Sequence, residues 1–239
     1  MQEHGTVSGR LSQGKIEGGN KMEVKLMNSR DSIDEMEYNA AYGMLTCHDN
    51  TNKLQNEEPS EFIKRAIKAH HDTVLEHITL TFEINNLSLA CLTQLERHRH
   101  TSMTVESTRH TLKKLLTKEG DFILPDATPD IVIKVDGKDV SLPGIMIIML
   151  QQAIETKPDI TNDELKYCVP ACFPTNLVIT ANVREWRLIM KLRTSPAALK
   201  EFQDLCHAIF EAVPDEFKYL FEDCIYARSA TDTNTEAPC

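Results

Sequence analysis

Between residues 97 and 118 an otherwise acidic chain gathers Arg97, His98, Arg99, His100, Arg109, His110, Lys113, Lys114 and Lys118. Like charges this close repel, so the run requires water around it, acidic neighbours or a bound anion. Guanidinium groups suit an anion: they hold phosphate bidentately and stay ionised when partly desolvated, which makes Arg97, Arg99 and Arg109 candidates for a phosphorylated ligand or an anionic ring. A solvated basic face is the plainer alternative and stays open. His98, His100 and His110, with His70, His71 and His77 upstream, are of the zinc-ligand type but lack the spacing of a zinc motif, and no metal is expected. Ser107 has a nucleophile's hydroxyl, yet no general base accompanies it.

These side chains must be held by an α+β framework. Met22, Val24 and Leu26 alternate as a strand, and Ser32-x-x-Glu35 reads as a capping box opening a helix with Ile33, Met36, Ala40 and Met44 on one stripe. After a polar loop over 48–58, Ser60 is placed as the cap of a helix to about His70 with Phe62, Ile63, Ala66 and Ile67 inward. From His77 to Ile84 alternation is unbroken, with Ile78, Leu80, Phe82 and Ile84 on one face, as in a half-buried antiparallel strand. Asn85-Asn86 reads as a break. Leu87, Ala90, Cys91, Gln94 and His98 then share a helical face that carries Arg97 to Arg99 at its end. Asp136-Gly137 signals a type I′ hairpin. Helices are expected over about 143–156 and 162–169, a strand over 176–181, and helices capped by Asn182 and Ser195.

The chain has 239 residues, of which 41% are apolar, enough for a sizeable core, and a net charge of −10. That charge argues against a nucleic-acid binder, whose affinity rests on a broad basic surface. No apolar run of membrane-spanning length occurs and the polar start lacks the apolar core of a signal peptide, so a cytoplasmic protein is expected. The seven cysteines include no C-x-x-C pair and are expected as thiols in a reducing compartment. The expected fold class is α+β, a single domain with a mainly antiparallel sheet and packed helices over 22–222, between flexible extensions at 1–21 and 223–239.

Arg97-His98-Arg99, seven residues, then Ser107 is a four-position pattern that chance places in about one such chain in a thousand at average residue usage. With Arg109 two residues further on, it resembles the signature of the flavin-dependent thymidylate synthase family. His71-Asp72-Thr73-Val74-Leu75-Glu76-His77 is similar to that family's strand entry, without its Pro; Gln94 stands three residues before Arg97, and Asn182-Val183-Arg184 and Leu192-Arg193 are similar to its later motifs. The resemblance covers most of 22–222. It implies conversion of dUMP to dTMP with methylenetetrahydrofolate as carbon donor, NADPH as reductant and bound FAD, in a homotetramer with shared sites. It further implies His71, Thr73, Arg97, His98, Arg99, Asn182, Arg184 and Leu188 as flavin positions, and Gln94, Arg97, Ser107, Thr108, Arg109, Lys166 and Arg193 as nucleotide positions. Arg193 is the expected catalytic residue, because a fixed cation near N3 stabilises charge developing on the pyrimidine; helix C-terminal capping is its structural alternative.

Val105, followed by Glu106, stands where the family has Glu or Gln, so the loop is either re-registered or short of one nucleotide contact. Lys166 replaces an Arg, keeping charge but not the bidentate fork. The 113–160 stretch is longer than a compact member requires. Two other functions compete: a related flavin enzyme acting on another pyrimidine, such as a dCMP or dUMP hydroxymethylase, and a nucleotide- or flavin-binding homologue without turnover. Retention of Gln94, Arg184 and Arg193 weighs against the second.

Overall fold

The computed structural model describes residues 21–118 and 122–227. The expected disorder of the extension over 1–20, and of the tail over 228–239, lies outside the described residues. Along the chain run β1 (Glu23–Leu26), α1 (Arg30–Thr46), α2 (Pro59–Lys68), β2 (Thr79–Ser88), α3 (Leu89–Leu95), β3 (Thr101–Val105), α4 (Thr108–Leu116), β4 (Val132–Val135), β5 (Lys138–Ser141), α5 (Leu142–Thr156), α6 (Asn162–Leu165), β6 (Pro174–Asn182), α7 (Val183–Arg193) and α8 (Lys200–Ala212). Short 3-10 segments cover Thr51–Gln55, Asp72–His77, Lys166–Cys168 and Asp215–Leu220. This is the α+β class read from the sequence, with a four-stranded sheet ordered β1-β2-β6-β3 and a separate antiparallel β4-β5 pair. No helix of the described residues is long and apolar enough to cross a membrane, and no disulfide joins the described cysteines.

The described residues form two compact units. The first comprises residues up to 23, 84–97 and 103–178. Its core is Leu112, Leu116, Leu124, Ile147, Leu150, Ile154, Leu165 and Phe173, from α4, the segment between α4 and β4, α5, α6 and the approach to β6. Asn85-Asn86 does not break β2 here: Asn86 takes φ 61 and its N–H donates to Asn176 Oδ1 at 3.0 Å. An asparagine tolerates that left-handed geometry, and a side-chain amide replaces the ladder partner. The hairpin is as read, with Val135 opposite Lys138 and positive φ at both Asp136 and Gly137, the backbone a type I′ turn demands.

The second unit comprises 24–83, 98–102 and residues from 179 onward. Ile78, Leu80 and Phe82 are fully buried. Phe82 meets Trp186 of α7 edge-on at 5.2 Å, and the indole N–H donates to Leu80 O at 3.1 Å, so the helix is fixed to the strand by apolar area and one directed bond. Antiparallel β1, β2 and β6 meet where Met27 N–H donates to Thr81 O and the Thr81 and Thr180 hydroxyls lie 2.8 Å apart.

Three expected helix starts move. Ser29 rather than Ser32 caps α1, accepting from Ser32 N–H at 3.2 Å; the helix buries Ile33, Glu37, Ala40, Ala41 and Leu45, with Met36 and Met44 of the expected stripe only half-buried. Pro59 opens α2 after Glu58, with Ser60 already helical, because a fixed φ and a missing N–H suit the first helical position. Its buried face, Phe62, Ile63, Ala66 and Ile67, is the one read from periodicity. Ser195 spends its carbonyl on Ala198 N–H in a turn with Pro196 second, and α8 begins only at Lys200, the placing a type I turn prefers. Asn182, by contrast, caps α7 as expected, accepting from Glu185 N–H at 2.9 Å.

Candidate functional site

In the first unit, α3 ends at Leu95, so the signature is not carried on the helix. Arg97 is exposed on the turn after it, and Gln94 lies half-buried on its last turn. Val105 and Glu106 close β3, partly buried. Glu106 is held from both ends by Asn176: its N–H donates to the Asn176 carbonyl at 2.8 Å, and its carboxylate accepts from the Asn176 amide at 2.7 Å. Ser107 is the N-cap residue of α4 but its hydroxyl makes no capping bond. Thr108 and Arg109 open the helix, whose amide-rich end attracts negative charge. Helix α4 packs on α6 and on the 3-10 turn carrying Lys166, so the phosphate candidates Ser107, Thr108, Arg109 and Lys166 belong to two packed elements.

The basic run is divided in use. Arg109 Nε lies 3.3 Å from Asp163 Oδ2, and Lys113 donates to the carbonyls of Pro158 and Ile160 at 2.8 and 3.0 Å. Acidic neighbours and bare carbonyls thus compensate part of the charge that the sequence assigns to an anion. The Arg109 pair is well exposed, worth about 0–1 kcal/mol, and opens readily to a ligand.

In the second unit, a cavity of about 920 Å³ is lined by His70, Asp72 and Glu76, by His100, by Asn182, Arg184, Glu185, Arg187, Leu188 and Lys191, and by Asp223 to Tyr226. That volume is of the order of small-molecule sites, about 300–1,000 Å³. Three flavin candidates, Asn182, Arg184 and Leu188, come together here on the first turns of α7. Thr73 and His71 flank the lining residue Asp72, both exposed; Arg99, also exposed, precedes the lining residue His100. Arg184 pairs with Glu76. Arg187 grips Asp223 with two bonds of 2.7 Å, so residues 223–226, expected as part of the tail, form wall.

His98 is placed differently from its neighbours. It is 7% exposed, with Nδ1 3.4 Å from Glu185 Oε1 and Nε2 accepting from Arg193 Nε at 3.1 Å. Phe202 lies edge-on to the imidazole at 6.1 Å and beneath the Arg193 guanidinium at 4.9 Å, a cation–π contact. Burial, and then the Arg193 charge, push His98 below the usual histidine range, against an opposing pull from Glu185. The imidazole is therefore neutral at pH 7.

Glu185 was not among the residues singled out in the sequence. It is 6% exposed, on the face of α7 that buries Trp186 and Ile189. A signal existed: Glu185, Ile189 and Arg193 recur every four residues, placing two opposite charges on an apolar stripe, where a charge is costly unless paired. Among the described residues no three His, Cys, Asp or Glu side chains assemble as a metal site.

Residues 26–217 match the family model described as thymidylate synthase complementing protein. The chain is 38% identical over 179 residues to a flavin-dependent thymidylate synthase of Campylobacter jejuni, covering 71% of this chain and 83% of that one. It is 37% identical over 161 residues to one of Helicobacter pylori, covering 65% and 76%. Among solved structures, thymidylate synthase X of Helicobacter pylori with FAD and dUMP superposes with a TM-score of 0.67 at 30% identity, covering 86% of this chain and all of that one. A UMP/dUMP methylase of Streptomyces cacaoi, at 18% identity and a TM-score of 0.58 over 81% of this chain and 90% of that one, shares the fold.

Proposed function

We propose, since this chain belongs to the thymidylate synthase complementing protein family, that it methylates dUMP to dTMP with FAD held in the cleft of its second unit. The chain is an enzyme, a flavin-dependent thymidylate synthase. The observation that supports the cofactor assignment is the convergence of Asn182, Arg184 and Leu188 on one cavity. The donor set fits a flavin nucleotide: Leu188 and Tyr226, 47% and 50% exposed, offer apolar surface to a flat ring, while Arg184, Lys191 and the start of α7 offer positive charge to a diphosphate. When bound, FAD supplies the two-electron chemistry that no side chain here can perform.

The chain's own residues bind and polarise. Arg193 faces the pyrimidine and stabilises negative charge developing across N3 and its neighbouring carbonyl. Ser107, Thr108, Arg109 and Lys166 hold the phosphate, with Gln94 and Arg97 on the same nucleotide and Arg97, His98 and Arg99 also at the flavin, as the signature implies. His71 and Thr73 serve the flavin from the 3-10 segment beside Asp72. Methylenetetrahydrofolate gives the methylene, NADPH the reducing equivalents, and the C5 proton leaves as the methyl forms. We place the enzyme in the cytoplasm as a homotetramer with shared sites.

Purified protein should be yellow and form dTMP from dUMP, methylenetetrahydrofolate and NADPH. Turnover of dCMP but not dUMP would transfer the assignment to another pyrimidine, the outcome that Val105 and Lys166 would explain. Flavin binding with no pyrimidine turnover would overturn the reaction.

A further inference from the structure

We propose that His98 is a positioning residue for Arg193: a buried imidazole whose Nε2 lone pair holds the guanidinium edge while Glu185 fixes its proton on Nδ1. The inference rests on the reading of Arg193 as the pyrimidine-facing group. Arginine has only donors, so the 3.1 Å contact from Arg193 Nε requires Nε2 to be the acceptor. The neutral ring must then carry its proton on Nδ1, and that atom points at Glu185 Oε1, 3.4 Å away. The backbone of His98 is pinned as well, since Thr101 Oγ1 donates to its carbonyl at 2.8 Å. Glu185 is in turn set by its own helix, its N–H held by the Asn182 cap at 2.9 Å.

The consequence is a guanidinium whose plane is set from two sides, by an in-plane bond at Nε and by Phe202 at 4.9 Å below it. A group meant to meet two adjacent atoms of a planar ring gains from such preorganisation, because orientation is fixed before the substrate arrives. Protonating His98 would remove the lone pair and set a second cation against Arg193. The groups around the ring are Glu185 and Arg193 on α7 and Phe202 on α8. Cys206, also on α8 and interacting with Arg193, stays a neutral thiol because burial pushes its ionisation up. The arrangement is therefore present above the lowered titration of His98 and lost as pH falls through it.

The test begins with nitrogen NMR of histidine-labelled holoenzyme without nucleotide. A neutral His98 with its proton on Nδ1 is expected, and Arg193→Ala should raise its titration because a neighbouring cation and donor are removed. A proton on Nε2, or no response to Arg193→Ala, overturns the proposal. The second arm compares His98→Phe with His98→Gln, whose carbonyl can take the Nε2 position. Assayed at saturating FAD, His98→Phe should lose more than about tenfold in kcat with dUMP, a transition-state rather than a binding loss. His98→Gln should recover most of it and lack the acid limb of the kcat/KM profile. Equal loss in both variants, or an acid limb that survives in His98→Gln, overturns it too. Should the wild type show the Nδ1 proton and the Arg193 response yet make no dTMP, the geometry stands and the reaction assigned to Arg193 falls.

Discussion

At the scale of single residues, the proposed function gives two arginines of this chain different work, and they should fail differently. Removing a charged partner from a desolvated site costs about 2–5 kcal/mol, so Arg193→Ala should reduce dTMP formation by orders of magnitude while the purified protein remains yellow. Lysine at 193 should not restore activity, because a point charge cannot reproduce the planar fork or accept the same setting by His98 and Phe202. Arg99→Ala should instead emerge with reduced flavin content, read from its visible spectrum. Retained dTMP formation in Arg193→Ala would refute the first assignment. His98 makes a separate prediction about stability. Its folded-state titration lies below the ordinary value of 6.5, so on acidification the unfolded chain takes up a proton before the folded one does, and stability falls from about pH 6.5 down through the lowered value. The melting temperature of His98→Gln should decline less over that interval than that of the wild type. Parallel melting curves of the two proteins would remove the residue from the account.

At the scale of elements, α7 links the core to the cleft. Trp186 and Ile189 are fully buried on one side, and Arg184 and Leu188 face the cavity on the other, so the start of the helix sets the proposed cofactor positions. Asn182→Ala removes the cap and should cost about 1 kcal/mol of stability together with a measurable loss of flavin affinity. Stability lost without a change in FAD titration would separate the cap from the site. Gly137→Ala, with φ +78, should destabilise its hairpin by about 1 kcal/mol and leave FAD binding unchanged. The alternation of β2 up to Ile84, the buried face of α2 and this hairpin were legible in the sequence because each is written in local period or turn chemistry. The start of α1 was not, because Ser29 and Ser32 are both competent caps and only the docking of Ile33 and Leu45 chooses between them. Nor was the His98–Arg193 contact, which joins residues 95 apart in sequence; the motif supplied both names but no propensity relates them. Glu185 went unnoticed because a capped helix commonly carries an acid in its first turn, which hides one that is buried.

At the scale of the whole molecule, binding and folding draw on the same free energy. A ligand that binds only the native state at a hundred times its Kd adds about 2.7 kcal/mol. For a chain of this length each kcal/mol moves the melting temperature by about 2–4 °C. Saturating FAD should therefore raise it by roughly 5–11 °C, at fixed protein concentration because any self-association shifts the same equilibrium. Light scattering on active protein should give four chains, and a monomeric mass would remove the shared-site reading. Arg184 is the sharper probe of where FAD sits. Within the cleft it is paired with Glu76, both about half exposed, so the pair itself contributes little and its deletion should scarcely alter the melting temperature without ligand. With FAD present the same deletion removes a cation from the proposed cofactor site and leaves the Glu76 carboxylate uncompensated there. At the low end of the cost of losing a charged partner, about 2 kcal/mol, affinity drops about 30-fold. The same FAD concentration is then only about three times the new Kd and contributes less than about 1 kcal/mol. Differential scanning of wild type and Arg184→Ala, with and without FAD, should thus show melting temperatures that coincide in the absence of FAD and diverge by several degrees in its presence. Equal shifts in both proteins would move the cofactor out of this cleft.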